Sequence, residues 1–220
     1  MLSRTAASLI PLFGRLTITT EPDAVPGGSI IAANHDSLAD PAVVLAALHR
    51  VGIRPVVMAT AGLWRVPLLA RALTAEEYIP VHRGTARAAD ALTRAAEALG
   101  RGRHVLIYAE GGLPRRRDAA PAGPRPFRTG LARLAAAADA PVVPLGQAGA
   151  RRITSGGRAK QLAGLMSAPL RRPRLHVHIG APLRLPLDVP AATDRAHRAV
   201  SAAWRTAAHA VTEPALPRAA

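Results

Sequence analysis

The sequence has no cysteine, and Lys160 is the only lysine among its 29 basic residues. The absence of cysteine excludes disulfides, thiolate metal sites and cysteine nucleophiles, and it leaves the redox compartment undecided. Aromatic residues make up only 3% of the chain, so alanine, leucine and valine must fill the interior. No Gly-x-Ser-x-Gly motif supplies a serine nucleophile. If the protein is a group-transfer enzyme, its nucleophile therefore belongs to the substrate.

Long apolar runs are also missing, because no uncharged stretch reaches the roughly 18–20 residues that a helix needs to cross a bilayer. Residues 1–15 are mildly apolar, contain two arginines and carry no convincing signal-peptide cleavage site. They predict either a helix in a membrane interface or a first helix packed on the core. At 220 residues the chain suits one domain. We place it at residues 27–213, after an N-terminal segment (1–26) and before a flexible tail (214–220).

What the sequence has in excess is positive charge, with a net charge of +15. No acidic residue falls between residues 140 and 187. The basic residues of this stretch are Arg151, Arg152, Arg158, Lys160, Arg171, Arg172, Arg174 and Arg184. Such a block favours an anionic partner, namely a lipid surface, a phosphorylated substrate or nucleic acid. A solvated basic face is the alternative.

The hydrophobic pattern alternates strands with helices. Strands are predicted at 29–33, 54–59, 79–81, 104–109, 141–145 and 175–179, and helices at 41–48, 87–99 and 130–138. This alternation predicts a single-domain α/β fold with a largely parallel β-sheet flanked by helices. Polar residues just beyond the strands of such a sheet gather at one edge. His35 and Glu110 both occupy that kind of position, which predicts a shared site.

Residues 34–40 read Asn-His-Asp-Ser-Leu-Ala-Asp. A histidine held by a carboxylate is a general base near neutral pH, because the carboxylate fixes the tautomer and stabilises the imidazolium. We therefore predict His35 and Asp40 to be a catalytic pair. Asp36 competes for the orienting role, although an adjacent side chain does not easily fold back onto its neighbour's ring. Asp36 or Ser37 is instead predicted to cap the next helix.

These residues resemble the glycerolipid acyltransferases typified by 1-acylglycerol-3-phosphate acyltransferase. The family has four ordered sequence blocks, and the resemblance covers about residues 27–185. The matching blocks are residues 34–40, residues 78–83 ending in Arg83, residues 107–113 containing Glu110-Gly111-Gly112, and residues 140–145. Residues 127–132 are similar to the family's Phe-Lys-x-Gly spacer, and residues 179–183 to its closing Gly-x-Pro-Ile.

The third block departs from the family pattern. Ala109 replaces a proline, and Gly112-Leu113 stands where the family has Thr-Arg. His82 replaces the aspartate common before the arginine of the second block. An arginine for the third block is expected from further along the loop, at Arg115, Arg116 or Arg117. These changes leave the acceptor open.

The resemblance implies a role for each site residue. His35, oriented by Asp40, takes a proton from the acceptor hydroxyl, which attacks the thioester of acyl-CoA or acyl-carrier protein. Arg83 binds phosphate. Glu110 orients the substrate or a basic neighbour, and Gly111 and Gly112 let backbone N–H groups approach an anion. No metal site and no bound cofactor are expected.

The sequence thus predicts an O-acyltransferase that most simply converts 1-acylglycerol-3-phosphate to phosphatidic acid. Its expected partners are an anionic membrane surface, an acyl thioester donor and a phosphate-bearing lysolipid, and its expected location is cytoplasmic, on the inner face of the cell membrane. Another lysolipid or a metabolite alcohol is an alternative acceptor. A basic nucleic-acid-binding protein is a rival class, but the few aromatic residues offer few stacking platforms, and no nucleic acid is expected.

Overall fold

The computed structural model describes residues 1–21, 25–85, 87–113 and 123–212. Within them, seven strands form one sheet in the order β1-β7-β6-β2-β5-β3-β4. The strands are β1 (Arg15–Thr20), β2 (Ile30–Ala33), β3 (Val56–Thr60), β4 (Ile79–Val81), β5 (Val105–Tyr108), β6 (Val142–Ala148) and β7 (Arg174–Ile179). Neighbouring strands run parallel except β6 and β7, which are antiparallel. The predicted α/β fold with a largely parallel sheet is confirmed.

Helices cover both faces of the sheet. They are α1 (Leu2–Phe13), α2 (Asp40–Arg50), α3 (Pro67–Ala75), α4 (Ala88–Gly100), α5 (Gly130–Ala138), α6 (Arg158–Arg171) and α7 (Val189–Thr212). The central strand β2 shows how the faces divide, because alternate residues of a strand point to opposite sides. Ile31 and Ala33 share a core with α1 and α2, whereas Ile30 and Ala32 share one with α4, α5 and α7. All four residues are buried.

The three predicted helices and six predicted strands are present, with ends shifted by a few residues. The prediction for α5 agrees at both ends, and α4 begins and ends one residue later than predicted. Small residues on one stripe of α4 explain its position, because Ala91, Ala95 and Ala98 are buried against the sheet. α3, α6, α7 and β1 were not predicted.

The N-terminal segment that the sequence set apart at 1–26 contributes α1 and β1 to the same sheet and core. Strand β1 pairs with β7 at the edge of the sheet. Ala6 and Ile10 of α1 are buried, while Leu9 and Leu12 are exposed. The tail predicted at 214–220 lies outside the described residues. In the parts of the chain that the structure describes, no helix is both long enough and apolar enough to span a membrane.

Candidate active site

The histidine of the first block lies just beyond the end of β2, whose last residue is Ala33. Nδ1 of His35 lies 3.0 Å from Oδ2 of Asp40, the first residue of α2. The same oxygen accepts the backbone N–H of Asp36 at 2.7 Å and that of Ser37 at 2.8 Å. With Nδ1 held by the carboxylate, Nε2 is the nitrogen available to take a proton.

Burial controls the electrostatics of this pair. The side chain of Asp40 has no exposed surface, whereas that of His35 retains 15%. Burial raises the pKa of Asp40, and the hydrogen bonds from His35 and from two backbone amides oppose that shift. A buried carboxylate of this kind gains most when its neighbour becomes positive. Asp40 is therefore a fully buried carboxylate that bonds to the ring of His35.

Asn34 fixes the loop that carries the histidine, a role that the sequence reading did not assign. Its side chain is buried and bonds to the backbone of Gln147 on β6 in both directions. Nδ2 donates to the Gln147 carbonyl at 3.1 Å, and Oδ1 accepts the Gln147 N–H at 2.8 Å. The signal in the sequence was a polar residue directly before His35, at the end of a wholly buried strand.

Glu110 supports the histidine from just beyond the end of the neighbouring strand β5. Its Oε1 accepts the backbone N–H of His35 at 2.7 Å. Its Oε2 accepts the backbone N–H of Arg125 at 3.1 Å and the Nε–H of the same residue at 3.2 Å. Burial raises the pKa of Glu110, and these donors oppose the shift. Glu110 thus joins the histidine loop to a basic neighbour, Arg125, that the sequence did not single out.

A cavity of about 590 Å³ lies on the α4 and α5 side of the sheet. Tyr108, whose ring centroid is 4.4 Å from that of His35, forms part of its wall. Its apolar walls include Met58, Val81, Leu92, Ile107 and Leu131. Arg83, Arg128 and Arg133 also line it, and none of the described lining residues is acidic. An apolar cavity with guanidinium groups suits a ligand that has an anionic head and an apolar tail.

Arg83 and Arg128 come close to each other over the two glycines of the third block. Both glycines have positive φ, +73° at Gly111 and +152° at Gly112. A Cβ at Gly111 would lie 2.5 Å from Nε of Arg128, and one at Gly112 would lie 3.4 Å from Nη1 of Arg83. Partial burial and the nearby charge of Arg128 lower the pKa of Arg83. A bound anion would relieve both effects.

One expectation for this loop differs from the structure, and a second concerns residues outside the described ranges. The N–H of Gly111 donates to the carbonyl of Tyr108 at 3.2 Å, so it is engaged within the turn and not directed at an anion. The glycine instead provides space for the side chain of Arg128. Arg115, Arg116 and Arg117, the expected sources of a third-block arginine, lie outside the described residues. Among the described residues, Arg125 and Arg128 reach this block.

The prediction that Asp36 or Ser37 caps the next helix is wrong. Helix α2 begins after Ala39 and has no side-chain cap. The hydroxyl of Ser37 lies 2.7 Å from that of Thr154, in the loop after β6. Oδ1 of Asp36 accepts Nε2–H of Gln147 at 3.2 Å. The Ser37 hydroxyl also accepts the backbone N–H of Ala39 at 3.2 Å, but Ala39 is the residue before the helix and not a residue of its first turn. The other partners of Asp36 and Ser37 lie more than a hundred residues away, and sequence spacing does not reveal them.

No group of three or more histidine, cysteine, aspartate or glutamate side chains with metal-binding geometry occurs in the described ranges. The described site offers carboxylates, imidazole and guanidinium groups. These groups are suited to proton transfer and to anion binding.

Comparison with known proteins decides the family. The model of the family described as Acyltransferase matches residues 15–147, more than half of the chain. The chain belongs to the acyltransferase family. The crystal structure of the 1-acyl-sn-glycerophosphate (LPA) acyltransferase PlsC from Thermotoga maritima has a similar fold, with a TM-score of 0.72. The two sequences are 16% identical, and the alignment covers 98% of this chain and 80% of that one. No curated protein matches the sequence significantly.

In this acyltransferase, Asp36 is a second carboxyl beside the His35–Asp40 pair, and its protonation is expected to affect stability. Burial, then the charge of Asp40, raises its pKa to about 7, while Arg151 and Gln147 oppose the shift. The folded protein therefore holds a proton at pH 5 that the unfolded chain has largely released. The contribution of Asp36 to the free energy of unfolding falls as the pH rises from about 4 to about 7.

Asp36→Asn removes this titration and is expected to change stability differently at two pH values. Differential scanning calorimetry gives the melting temperature of the variant minus that of wild type at each pH. This difference should be about 3 °C or more higher at pH 8 than at pH 5. Asp194→Asn, at an exposed site on α7, is the matched control. An Asp36→Asn shift that is the same at pH 5 and pH 8 would show that this carboxyl does not titrate in the folded protein.

Proposed function

We propose that this acyltransferase moves a fatty acyl group from acyl-CoA or acyl-carrier protein to the hydroxyl of a lysophospholipid. The simplest acceptor is 1-acylglycerol-3-phosphate, which gives phosphatidic acid. One observation carries the proposal. Tyr108, whose ring contacts that of His35 in the His35–Asp40 pair, is also one of the residues that line an apolar cavity with three arginines.

The proposed reaction begins with proton transfer. Nε2 of His35 takes the proton of the acceptor hydroxyl while its oxygen attacks the thioester carbonyl. The tetrahedral intermediate then collapses, the C–S bond breaks, and the proton passes from His35 to the leaving thiolate. Asp40 keeps the ring oriented and stabilises the imidazolium between the two steps. The nucleophile is thus the substrate, in agreement with the absence of cysteine.

The acceptor phosphate is assigned to Arg83 and Arg128. Two guanidinium groups that face one cavity without an acidic partner among its described lining residues repel each other. A phosphate between them replaces that repulsion with charge-assisted hydrogen bonds, which are about twice as strong as neutral ones. The apolar walls then take an acyl chain. No bound cofactor enters this scheme, since acyl-CoA or acyl-carrier protein acts as a co-substrate.

A different acceptor is the second candidate, because Gly112-Leu113 stands where the resembled family has Thr-Arg. Another lysolipid or a metabolite alcohol could use the same His35–Asp40 pair. A lysolipid acceptor also requires access to a bilayer. An anionic membrane surface, on the inner face of the cell membrane, therefore remains part of the proposal.

Arg83→Ala tests the phosphate assignment. We expect kcat/KM for 1-acylglycerol-3-phosphate to fall about 100-fold, mainly through KM, because a charge-assisted contact to the phosphate is lost. With a monoacylglycerol, which has no phosphate, the change should stay within about threefold. Thiol release from acyl-CoA measures both.

Arg195→Ala, at an exposed arginine on α7, is the control for the loss of one positive charge. Equal losses for both acceptors with Arg83→Ala would contradict phosphate binding by this residue and would favour the alternative acceptors.

A further inference from the structure

Helix α6 turns its large apolar side chains away from the protein. Leu162, Met166 and Leu170 are 62%, 72% and 91% exposed. They are spaced four residues apart and form one stripe, here called the α6 stripe. The side of α6 that faces the protein holds small residues, with Ala168 fully buried and Gly164 against the carbonyl of Ile153. This is the reverse of an ordinary surface helix, which buries its large apolar residues.

Helix α6 lies at the end of the sheet where β2 ends and His35 follows. It belongs to the connection between β6 and β7, which begins where β6 ends beside the His35 loop. Thr154 in this connection bonds to Ser37, two residues after the histidine. A surface that carries the α6 stripe is therefore connected to the loop that performs the proposed chemistry.

Helix α1 extends this apolar surface. α6 packs against α1, and Nη2 of Arg172, just after α6, donates to the carbonyl of Pro11 at 3.1 Å. Leu9 and Leu12 of α1 are 47% and 58% exposed. The two helices together expose six large apolar side chains, namely the α6 stripe with Leu165, Leu9 and Leu12. So many exposed apolar side chains on two helices in contact are typical of an interaction site.

The charge around the α6 stripe identifies the partner. Arg158 and Lys160 lie in the first turn of α6, and no acidic residue occurs there. Positive side chains at a helix N-terminus oppose the helix dipole and cost stability, so the helix itself does not explain them. Arg171 and Arg172 lie at the other end, where Arg171 also donates to the backbone carbonyls of Arg152 and Gly164. No acidic residue occurs from 140 to 187. Apolar residues between positive charges are typical of a helix in the interface of an anionic bilayer.

We propose that α6 and the C-terminal half of α1 are the surface on which this acyltransferase docks to an anionic lipid bilayer. The α6 stripe inserts among the acyl chains, and the flanking arginines lie at the headgroups. A second copy of the chain is a poorer occupant, because two faces that both carry positive charge repel each other. The family model matches residues 15–147, so α6 lies outside the matched region. The inference deepens the proposed function, since a bilayer would deliver the lysolipid beside His35.

Vesicle binding tests this surface without requiring activity. The probes are vesicles of phosphatidylcholine with phosphatidylglycerol, and vesicles of phosphatidylcholine alone. Wild type should bind the anionic vesicles, and binding should weaken as salt rises. A variant with Leu162→Asn, Met166→Asn and Leu170→Asn together should bind them about 100-fold less tightly, because three apolar insertions are lost. Thermal melting verifies that this variant folds, which the exposure of all three sites leads us to expect.

Leu187→Asn is the matched control. Leu187 is 85% exposed and follows Leu183, which pairs with Val142 at the start of β6, the opposite end of the sheet from His35. This variant should bind vesicles as wild type does. The proposal would be overturned if wild type did not bind anionic vesicles, or if the triple variant bound them as tightly as wild type does. If wild type were a dimer that did not bind vesicles, and the triple variant were a monomer, the surface would instead be assigned to self-association.

Turnover of a short-chain, water-soluble lysophosphatidate separates this inference from the proposed function. If docking is right, the triple variant should match wild type on that acceptor and lose activity only on acceptor embedded in vesicles. If wild type binds vesicles but does not turn over either acceptor, the proposed function fails and the docking surface stands. Equal losses on soluble and embedded acceptor would contradict a docking role.

Discussion

His35→Ala is expected to lower kcat/KM for acyl transfer about 10³- to 10⁴-fold, which is the upper part of the range for loss of a general base. Asp40 bonds to the ring of His35 at 3.0 Å. The other described histidine paired with a carboxylate is His178, 3.5 Å from Glu21, and it lies on β7, which β6 separates from β2. It is therefore not placed to replace His35. The loss should appear in kcat, because the arginines and apolar walls that bind the substrates are unchanged. Thiol release from acyl-CoA in the presence of acceptor gives the rate.

His209→Ala provides the control, because His209 is exposed on α7 and far along the chain from the site. It should retain the wild-type rate. If His35→Ala retained more than about a tenth of wild-type kcat, the His35 general-base mechanism would be contradicted.

Asp40→Asn is expected to lower kcat about 10²- to 10³-fold while the protein remains folded. Nδ1 of His35 and the backbone N–H groups of Asp36 and Ser37 all meet Oδ2 of Asp40, so an asparagine keeps the two backbone hydrogen bonds by placing its amide oxygen there. That oxygen is uncharged, and it therefore stabilises the imidazolium formed during the reaction less than the carboxylate does. Steady-state kinetics should therefore show a reduced kcat, whereas thermal melting should show a melting temperature close to that of wild type.

Asp36→Asn is the matched variant for the orienting role, since both residues are carboxylates within five positions of the histidine. Its kcat should fall less than about tenfold, because the Asp36 carboxylate bonds to Gln147 and not to the imidazole. A larger loss from Asp36→Asn than from Asp40→Asn would make Asp36 the residue that orients His35.

Sequence reasoning reached the local part of the site. His35 and Asp40 lie within one short loop, and their spacing together with the family resemblance predicted that Asp40 holds the ring; the two side chains lie 3.0 Å apart. Glu110 was placed near them because β2 and β5 are parallel and end at the same edge. The contacts that hold these residues were not predictable. Asn34 bonds to Gln147 across 113 positions, and such pairs depend on the order of strands, which hydrophobic periodicity does not specify.

The arginines of the cavity illustrate the same limit. Arg83 followed from a block at the end of a strand, whereas Arg128 was part of a spacer with no assigned role. Arg128 reaches the site because its backbone N–H bonds to the carbonyl of Ala109 at 2.9 Å and because Gly111 leaves space beside it. Both features depend on where a loop returns to the sheet. Composition and spacing do not encode that path.

The edge strand β1 was not predicted from the sequence, for a different reason. Strand β1 reads Arg-Leu-Thr-Ile-Thr-Thr, whose polar residues make it less apolar than the buried central strands. Only one side of such an edge strand packs on the core, so its signal is weaker than that of β2. The antiparallel pairing of β7 with β6 was also not predicted, because α6 lies between them and a helical crossover usually joins parallel strands.

The central claim is that the cavity accepts a phosphate-bearing lysolipid and that the His35 site acylates its hydroxyl. The most direct measurement uses isotope-labelled acyl-CoA with 1-acylglycerol-3-phosphate and counts both products, free thiol and labelled lipid, by mass spectrometry. One labelled phosphatidic acid is expected for each thiol released by wild type, and both products should form about 10³- to 10⁴-fold more slowly with His35→Ala. Thiol release without labelled phosphatidic acid, or label on a phosphate-free acceptor in preference to the phosphorylated one, would contradict this claim.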